Sequence, residues 1–430
     1  MNQTASIAWS NWSGSVIARN AKIMKPRGLA ELADAIRTAP GPIRIAGAGH
    51  SFTPLVETEG TILDLDRFQG LVSHDAIALQ ATVGAATRLG DLAKQLHAVG
   101  QGLPNMGDID RQTVGGALGT ATHGSGSTLG AYQTQLRKIE IVDGRGDVRR
   151  YDFETDRETI EATGVSLGAF GALTAVTLQN AATYRLRRRR RVVPIREILS
   201  GFDSFMNGHR SAEFYFIPFS GHALLITSDP STADVTPRPS EEDEEGLSTL
   251  KRLRTWLGWL PPLRRALIGS ALTRLPEEDY VQDWLHVYAS DRRRRFNEME
   301  YHLPFEEGPK ALAEIIALSE KHFPEVYFPM EVRSVAADDF WLSPFYRRKT
   351  CSIAIHHDAA EDPRAFMAAA ETIFRRYGGR PHWGKMHNLT AAGLAALYPR
   401  WKDAMEVRQN FDPDRRFVSP YLARLFGLPA

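Results

Sequence analysis

A single cysteine, Cys351, stands in 430 residues, so the chain can form no internal disulfide and no thiolate metal cluster. That usage fits a reducing compartment, and Cys351 itself reads as a small buried apolar residue. Long apolar runs are missing too: none approaches the roughly 18 residues that a membrane-spanning helix needs. The first residues, MNQTASIAWSNWSGSV, carry no basic segment followed by an apolar one, which predicts a soluble, cytoplasmic protein without a secretory leader. Nor is there an excess of charge: Lys+Arg 52 against Asp+Glu 51 leaves no basic surplus for nucleic acid and favours a small-molecule partner. The pattern G-x-x-x-x-G-K-[ST] is absent, GAGHSF lacks the third glycine of a dinucleotide fingerprint, and Pro54 follows it. Neither a P-loop site nor a Rossmann NAD site is therefore expected. No metal centre and no internal repeat is expected either.

What is present is enough chain for two well-buried domains. From about 25 to 178, short strand-like runs alternate with a few helices. LAELADAIRTA and LGDLAKQLHAVG have helical apolar spacing, whereas IRIAG, TILDLD and IALQATVG read as strands. RKIEIVDGRGDVRRY holds two strand-like runs around a DGRG hairpin signal, with GALTAVTLQ as a further strand. Arg185 and Arg187 to Arg191 mark a change of composition, and strand alternation places some of them on a solvated face. The segment TSDPSTADVTPRPSEEDEEG, 227–246, is rich in Pro, Ser and acid and reads as a mobile surface loop. In KRLRTWLGWLPPLRRALIGSALTRL, 251–275, basic residues mix with Trp256, Trp259 and several leucines, and Pro261 and Pro262 divide the run. It reads as a cap element packing its tryptophans inward, with a membrane-surface or partner-docking role as the alternative.

Two glycine-rich stretches carry the first chemical signal, AGAGHS at 46–51 and VGGALGTATHGSGS at 114–127. Glycine permits positive φ and lets a ligand approach the backbone, so successive N–H groups can form a concavity for the oxygens of a diphosphate. Tight structural turns leave the same trace, and these stretches alone do not separate the two.

Taken with later segments they do. GAGHSF, LPNMGDIDRQTVGGALGTATHGSG, SLGAFGALTAVTL, MEVRSVAADDFWLSP and RPHWGKMHN, closed by FDPDRRFVSPYL, follow one another along nearly the whole chain. In this order the chain resembles the vanillyl-alcohol-oxidase type (PCMH-type) of FAD-dependent oxidoreductases, and within it the aldonolactone and alditol oxidases. The resemblance implies an α+β fold: an FAD-binding domain over 1–185, completed by a segment returning over 380–430, and a cap domain over 186–379 whose antiparallel sheet covers the flavin ring. It implies FAD joined through its 8α-methyl to His50, a link that raises the flavin's reduction potential. Ile45, Ala46, Gly47, Ala48, Gly49, His50 and Ser51 would wrap the pyrophosphate. Asp108, Thr113, Gly116, Thr120, Ala121, Thr122 and His123 would line the other side, with Gly171 and Ala172 near the adenosine half and His382 at the flavin edge. Gly107 would leave room for oxygen to reach the reduced ring, which favours an oxidase making hydrogen peroxide over a dehydrogenase serving a cytochrome or quinone.

Removing hydride from a carbinol carbon requires a base or cation near the hydroxyl that loses its proton. Glu331 and Arg333 of MEVRS stand at i and i+2, on one face of a strand, and Lys385 comes from HWGK. On its own the acid–guanidinium pair reads as a surface ion pair worth little; the resemblance places both residues over the flavin's substrate face. Arg333 and Lys385 would then bind the reacting oxygen, Lys385 with a pKa lowered by burial and a neighbouring arginine so that it accepts a proton. Glu331 would hold substrate hydroxyls and orient Arg333. Asp108 and His356 depart from the alditol-oxidising pattern, which has a serine and a threonine at these places. A carboxylate at 108 repels anionic substrates and leaves neutral lactones, polyols and sugars, with lactones placed first.

Overall fold

The computed structural model describes residues 8–239, 243–289 and 294–429. Three larger sheets organise it. In the first, Thr61–Asp64 lies between Lys22–Met24 and Ile43–Ala46, all parallel. The helix Leu29–Thr38 joins the two outer strands, burying Leu32, Ala33, Ala35 and Ile36 at helical spacing. The second sheet is antiparallel, in the spatial order Val148–Asp152, Leu136–Val142, Ala172–Gln179, Gln80–Gly84, Leu71–Asp75.

The third sheet has eight antiparallel strands, ordered Glu278–Asp283, Arg185–Pro194, His222–Ser231, Ser211–Ile217, Met330–Val335, Thr350–Asp358, Phe296–Pro304 and Arg380–Pro381. Its central strand Met330–Val335 is buried on both faces, so the charged Glu331 and Arg333 on it must find partners inside the protein. One continuous core joins Val83 and Leu118 to Phe214, Met330, Ile353 and Leu422. The second and third sheets therefore share a close-packed, stiff interior.

Several expectations are corrected by this architecture. Only Gln80–Gly84 of IALQATVG pairs as strand; Asp75 Oδ1 accepts from the Ile77 and Ala78 N–H groups at 2.8 Å each, folding the rest into a hairpin turn that leaves Ile77 exposed. The loop over 227–246 is shorter than expected, because the strand His222–Ser231 continues along Arg185–Pro194 and the helix Asp243–Leu257 begins inside it; residues 240–242 lie outside the described residues. Of the arginine run, Arg187 and Arg189 meet Asp279 on the solvated side while Arg188 turns toward Glu213, at 3.5 Å.

Pro261 and Pro262 do separate two helices, Asp243–Leu257 and Pro261–Leu272. The tryptophans do not pack inward: Trp256 is 70% and Trp259 78% exposed. The inner face is already filled by Leu250, Leu253, Ile268 and Leu272 against Ile217 and Phe219. No described helix is long and apolar enough to cross a membrane. Cys351 is fully buried, and burial pushes its thiol pKa up.

Candidate active site

The strand Ile43–Ala46 delivers the chain into a loop along the wall of a long cavity. Gly49 takes φ +72°, where an added Cβ would also stand 3.3 Å from the Trp9 ring; a Cβ on Gly47 would stand 2.5 Å from Thr113 Oγ1. Thr113 caps the short helix Val114–Gly119, accepting from the Gly116 N–H at 3.3 Å. Ile45 through Ser51, Thr113, Gly116, Thr120 and Gly171 all line this cavity. Ala172 is buried at the start of the strand Ala172–Gln179, and Ala121 is buried in a turn at φ +59°, neither on the cavity wall. Among the described residues the backbone N–H groups of Ala48, Gly49, His50 and Ser51 have no acceptor. A row of unmet donors along a groove is what a diphosphate satisfies, so the residues present fit the pyrophosphate of FAD.

The end of the chain closes over this loop. Phe52 N–H donates to the Gly384 carbonyl at 2.6 Å, the Thr53 hydroxyl to that of Trp383 at 2.8 Å, and Ile43 N–H to that of Arg416 at 2.6 Å. Beneath it Arg44, fully buried, donates to the carbonyls of Leu55, Leu167, Gly168 and Phe417. Gly49→Ala is expected to cost about 1–2 kcal/mol at its left-handed position and to displace the His50 loop from Trp9. A lower thermal midpoint and a lower flavin-to-protein absorbance ratio in the purified protein are the checks.

His50 lies where this cavity meets a second cleft of 270 Å³. Its ring stacks on Trp12, centroids 5.7 Å apart at 26°. Burial, followed by the charges of Lys385, Arg88 and Arg111, lowers its pKa to about 4, so at neutral pH the imidazole is unprotonated and nucleophilic. One wall of the second cleft is built from Gly107, Asp108, Thr122 and His123; the other carries Glu298, Glu300, Arg333, His382 and Lys385. Gly107 presents no side chain to the cleft. Its N–H lies 3.3 Å from the Tyr132 hydroxyl, and a Cβ there would stand 3.0 Å from the His123 carbonyl oxygen, so packing also favours glycine at this position.

Arg333 is the centre of a buried charge cluster. It lies 3.1 Å from Asp108, 3.1 Å from Glu213, and in contact with Glu331, while the Tyr215 hydroxyl donates to Glu331 at 2.6 Å. One guanidinium, with Arg188 on the far side of Glu213, shares three carboxylates. Burial, and then the charges of Asp108 and Glu213, push the Glu331 carboxyl up to about 8 despite the pull of Arg333. Arg333 itself is held well above its ordinary value. Glu331 is off the cleft wall and supports Arg333 from behind. Asp108, expected as a bare repelling carboxylate, is instead an acceptor already neutralised by Arg333.

Lys385 is gripped by Glu298 and lies 5.1 Å from the centre of the Phe52 ring. Burial alone would lower its pKa, but Glu298 and Glu300 outweigh burial and raise it. The expectation of a depressed, proton-accepting lysine is thereby corrected: Lys385 is a charged donor. His356 is also relocated. Its Nδ1 lies 2.9 Å from the Pro329 carbonyl and its Nε2 3.7 Å from Glu298, behind the cleft rather than on its wall. His382 accepts from the Gly384 N–H at 3.0 Å, and burial lowers its pKa to about 3.

Cleft residues that escaped the sequence reading include Glu298, Glu300, Arg111, Trp12 and Phe52, with Glu213 and Tyr215 behind Arg333. A signal for the first two existed. FNEMEYHLP alternates Glu298, Glu300 and His302 with Met299, Tyr301 and Leu303, which places three ionisable groups on one face of an otherwise apolar strand. Glu300 binds His123 Nε2 at 2.9 Å and the Ser352 hydroxyl.

Comparison with known proteins meets this geometry. Residues 176–425 match the D-arabinono-1,4-lactone oxidase family, and residues 21–152 match an FAD binding domain. The L-gulono-1,4-lactone dehydrogenase of Mycobacterium tuberculosis is 35% identical over 97% of this chain and 99% of its own. The L-gulonolactone oxidase of Mus musculus is 26% identical over 98% of each chain, and the alditol oxidase of a Streptomyces species 27% over 98% of this chain and 99% of its own. Among solved structures, a solvent-stable cholesterol oxidase superposes with a TM-score of 0.81 over 97% of both chains at 17% identity, a likeness of fold that carries the FAD-binding part and the antiparallel sheet. The chain belongs to the D-arabinono-1,4-lactone oxidase family and is an FAD-dependent oxidoreductase with the vanillyl-alcohol-oxidase (PCMH-type) fold.

Proposed function

We propose that the enzyme oxidises a CH–OH group of an aldonolactone, with oxygen as acceptor and hydrogen peroxide as product, and that its FAD is bonded through the 8α carbon to His50. The observation that carries this reading is the pair of cations, buried Arg333 and half-buried Lys385, on one cleft that opens from His50. When bound, FAD supplies the acceptor for a hydride leaving the carbinol carbon.

The chain's own groups handle the rest. Arg333 and Lys385 donate to the reacting oxygen and stabilise the charge it gains as its proton departs. Glu298, paired with Lys385 on the same wall, is the proton acceptor we assign. Asp108, neutralised by Arg333, accepts a second substrate hydroxyl, while Glu331 keeps Arg333 in place. A neutral lactone is preferred, because the cleft's cations Arg333 and Lys385 are already paired with Asp108 and Glu298 and leave no spare positive charge for the carboxylate of an open-chain aldonate. His50, unprotonated, is poised for bond formation to the flavin.

A second reading, transfer of electrons to a carrier in place of oxygen, is favoured by the dehydrogenase name of the mycobacterial relative; the bare Gly107 on the cleft wall supports oxygen. Anaerobic bleaching of the flavin by a panel of aldonolactones, alditols and aldoses tests the substrate, with lactones expected fastest. Peroxide under air supports the oxidase; turnover with an artificial dye alone supports the carrier. His50→Ala is expected to keep visible flavin absorbance but release all flavin on acid precipitation, whereas the parent retains it. A parent that sheds its flavin in acid would overturn the covalent link.

A further inference from the structure

Three aromatic side chains of the second cleft take no part in the chemistry assigned above. Trp12, Phe52 and Phe296 line it beside Lys385 and Glu298. They come from three places in the chain: Trp12 from a turn, its N–H donating to the Gly49 carbonyl at 2.7 Å, Phe52 from the loop after His50, and Phe296 from the first position of the strand Phe296–Pro304. The rings form one cluster. Trp12 and Phe296 meet at 5.1 Å and 68°, Phe52 and Phe296 at 5.7 Å and 29°, and Trp12 and Phe52 at 6.5 Å and 88°. Phe296 also meets the Phe328 ring at 6.0 Å and the His356 ring at 5.0 Å, and neither of these lines the cleft. Edge-to-face and offset stacking are the arrangements that aromatic rings favour, so the cluster is a firm wall.

Trp12 and Phe296 are only half-buried despite these contacts, and both border the cleft. The wall also reaches the reacting centre: Lys385 Nζ lies 5.1 Å from the centre of the Phe52 ring, and Glu298 stands two residues after Phe296, on the same face of the strand. A substrate oxygen bound to Lys385 therefore brings the adjoining carbons close to the rings, while Asp108 and Arg333 offer polar partners elsewhere on the cleft. Ligand sites commonly combine aromatic surface with a few placed polar groups in this way. An open-chain alditol carries a hydroxyl on every carbon, so the carbons beside the rings bring hydroxyls that find no acceptor there. It must also give up the free rotation of its chain. A lactone ring is already closed, and its C–H groups can lie against an aromatic face.

We propose that Phe296, flanked by Trp12 and Phe52, is the specificity-determining wall of the cleft, and that it admits ring-closed lactones in preference to open-chain alditols by contact with their C–H groups. The proposal rests on the assignment of the reacting oxygen to Lys385. Phe296 is the member of the wall to alter: Trp12 stacks on His50 and Phe52 is tied to Gly384, so a change at either would also disturb the His50 loop.

The test is anaerobic bleaching of the flavin-loaded parent, Phe296→Ala and Phe296→Leu by aldono-1,4-lactones of five and six carbons and by the alditols of the same carbon skeletons, read as limiting rate and half-saturating concentration. The parent is expected to prefer the lactones. In Phe296→Ala that preference, taken from limiting rate over half-saturating concentration, should fall about tenfold, through a higher half-saturating concentration of lactone and not through its limiting rate. Phe296→Leu keeps apolar bulk but loses the flat face, and its preference should fall less. A preference unchanged in both variants would overturn the proposal and leave the lactone reading standing. A parent that no lactone bleaches, or that prefers alditols, would overturn both. Loss of flavin from Phe296→Ala, seen as a lower flavin-to-protein absorbance ratio, with the parent's preference kept in the holoenzyme that remains, would give the wall to the cofactor and overturn the proposal as well.

Discussion

Lys385→Met is expected to lower the rate of flavin reduction by substrate by on the order of 10³-fold, with flavin content unchanged. The size follows from what is removed and what is left. The variant loses the ammonium that stabilises the developing oxygen charge, and it leaves Glu298 on the cleft wall without its ion-pair partner. A neutral side chain of similar length preserves the packing against Phe52, so the loss reports charge rather than volume. Anaerobic stopped-flow measurement of flavin bleaching reads the step directly. Glu298→Gln separates the two functions: it keeps a partner for the ammonium but removes the proton acceptor, and a pH-dependent rate loss is expected. Unchanged bleaching in Lys385→Met would remove Lys385 from the chemistry.

Arg333→Met is the second large effect, and it falls on folding as well as turnover. Asp108, Glu213 and Glu331 all lean on this guanidinium inside the protein. Deleting one partner of a buried ion pair costs about 3–5 kcal/mol, because the remaining charge has lost its compensation. The loss carries a pH signature. Without Arg333, Glu331 loses the charge that pulls its raised pKa down and holds its proton more tightly in the folded than in the unfolded chain, so its contribution favours folding below the ordinary carboxylate range. That stability disappears as pH rises through the raised value. Glu331 already stands at about 8 with Arg333 present. The gap in thermal midpoint between parent and variant should therefore widen from mildly acidic to mildly alkaline pH. A constant gap would mean that Arg333 does not hold the Glu331 carboxyl down. Glu331→Gln removes one of the competing acids and is expected to be tolerated far better.

The contrast between these two residues shows what could be read in the chain without its structure. His50, the glycines beside it, Arg333 and Lys385 sit in short contiguous segments that alone fit tight turns and a surface ion pair; it was the order of those segments along the chain, and the family they resemble, that marked them as a site. The protonation state of Lys385 could not be read there. It depends on Glu298, 87 residues earlier on another strand, and only the pairing of Phe296–Pro304 with Thr350–Asp358 and Arg380–Pro381 brings that strand to the cleft. Asp108 was visible as an acid but not as a neutralised one, for the same reason. The exposed tryptophans show a different obstacle. Amphipathic spacing in 251–275 reveals that a helix has two faces but not which of them meets the body of the protein; Leu250, Leu253, Ile268 and Leu272 take that face, Arg264 is buried as well, and the tryptophans are left outside.

The hydrogen bonds that seal the His50 loop have a consequence for how the holoprotein comes into being. Phe52, Thr53 and Ile43 are gripped by Gly384, Trp383 and Arg416, so the loop emerges from the ribosome more than three hundred residues before the groups that hold it. During all of that synthesis the nest of N–H donors has its floor but not its lid. Cofactor loading is consequently an event of the finished polypeptide: chains cut short before the last fifty residues should accumulate without flavin, however well their amino-terminal sheet has formed.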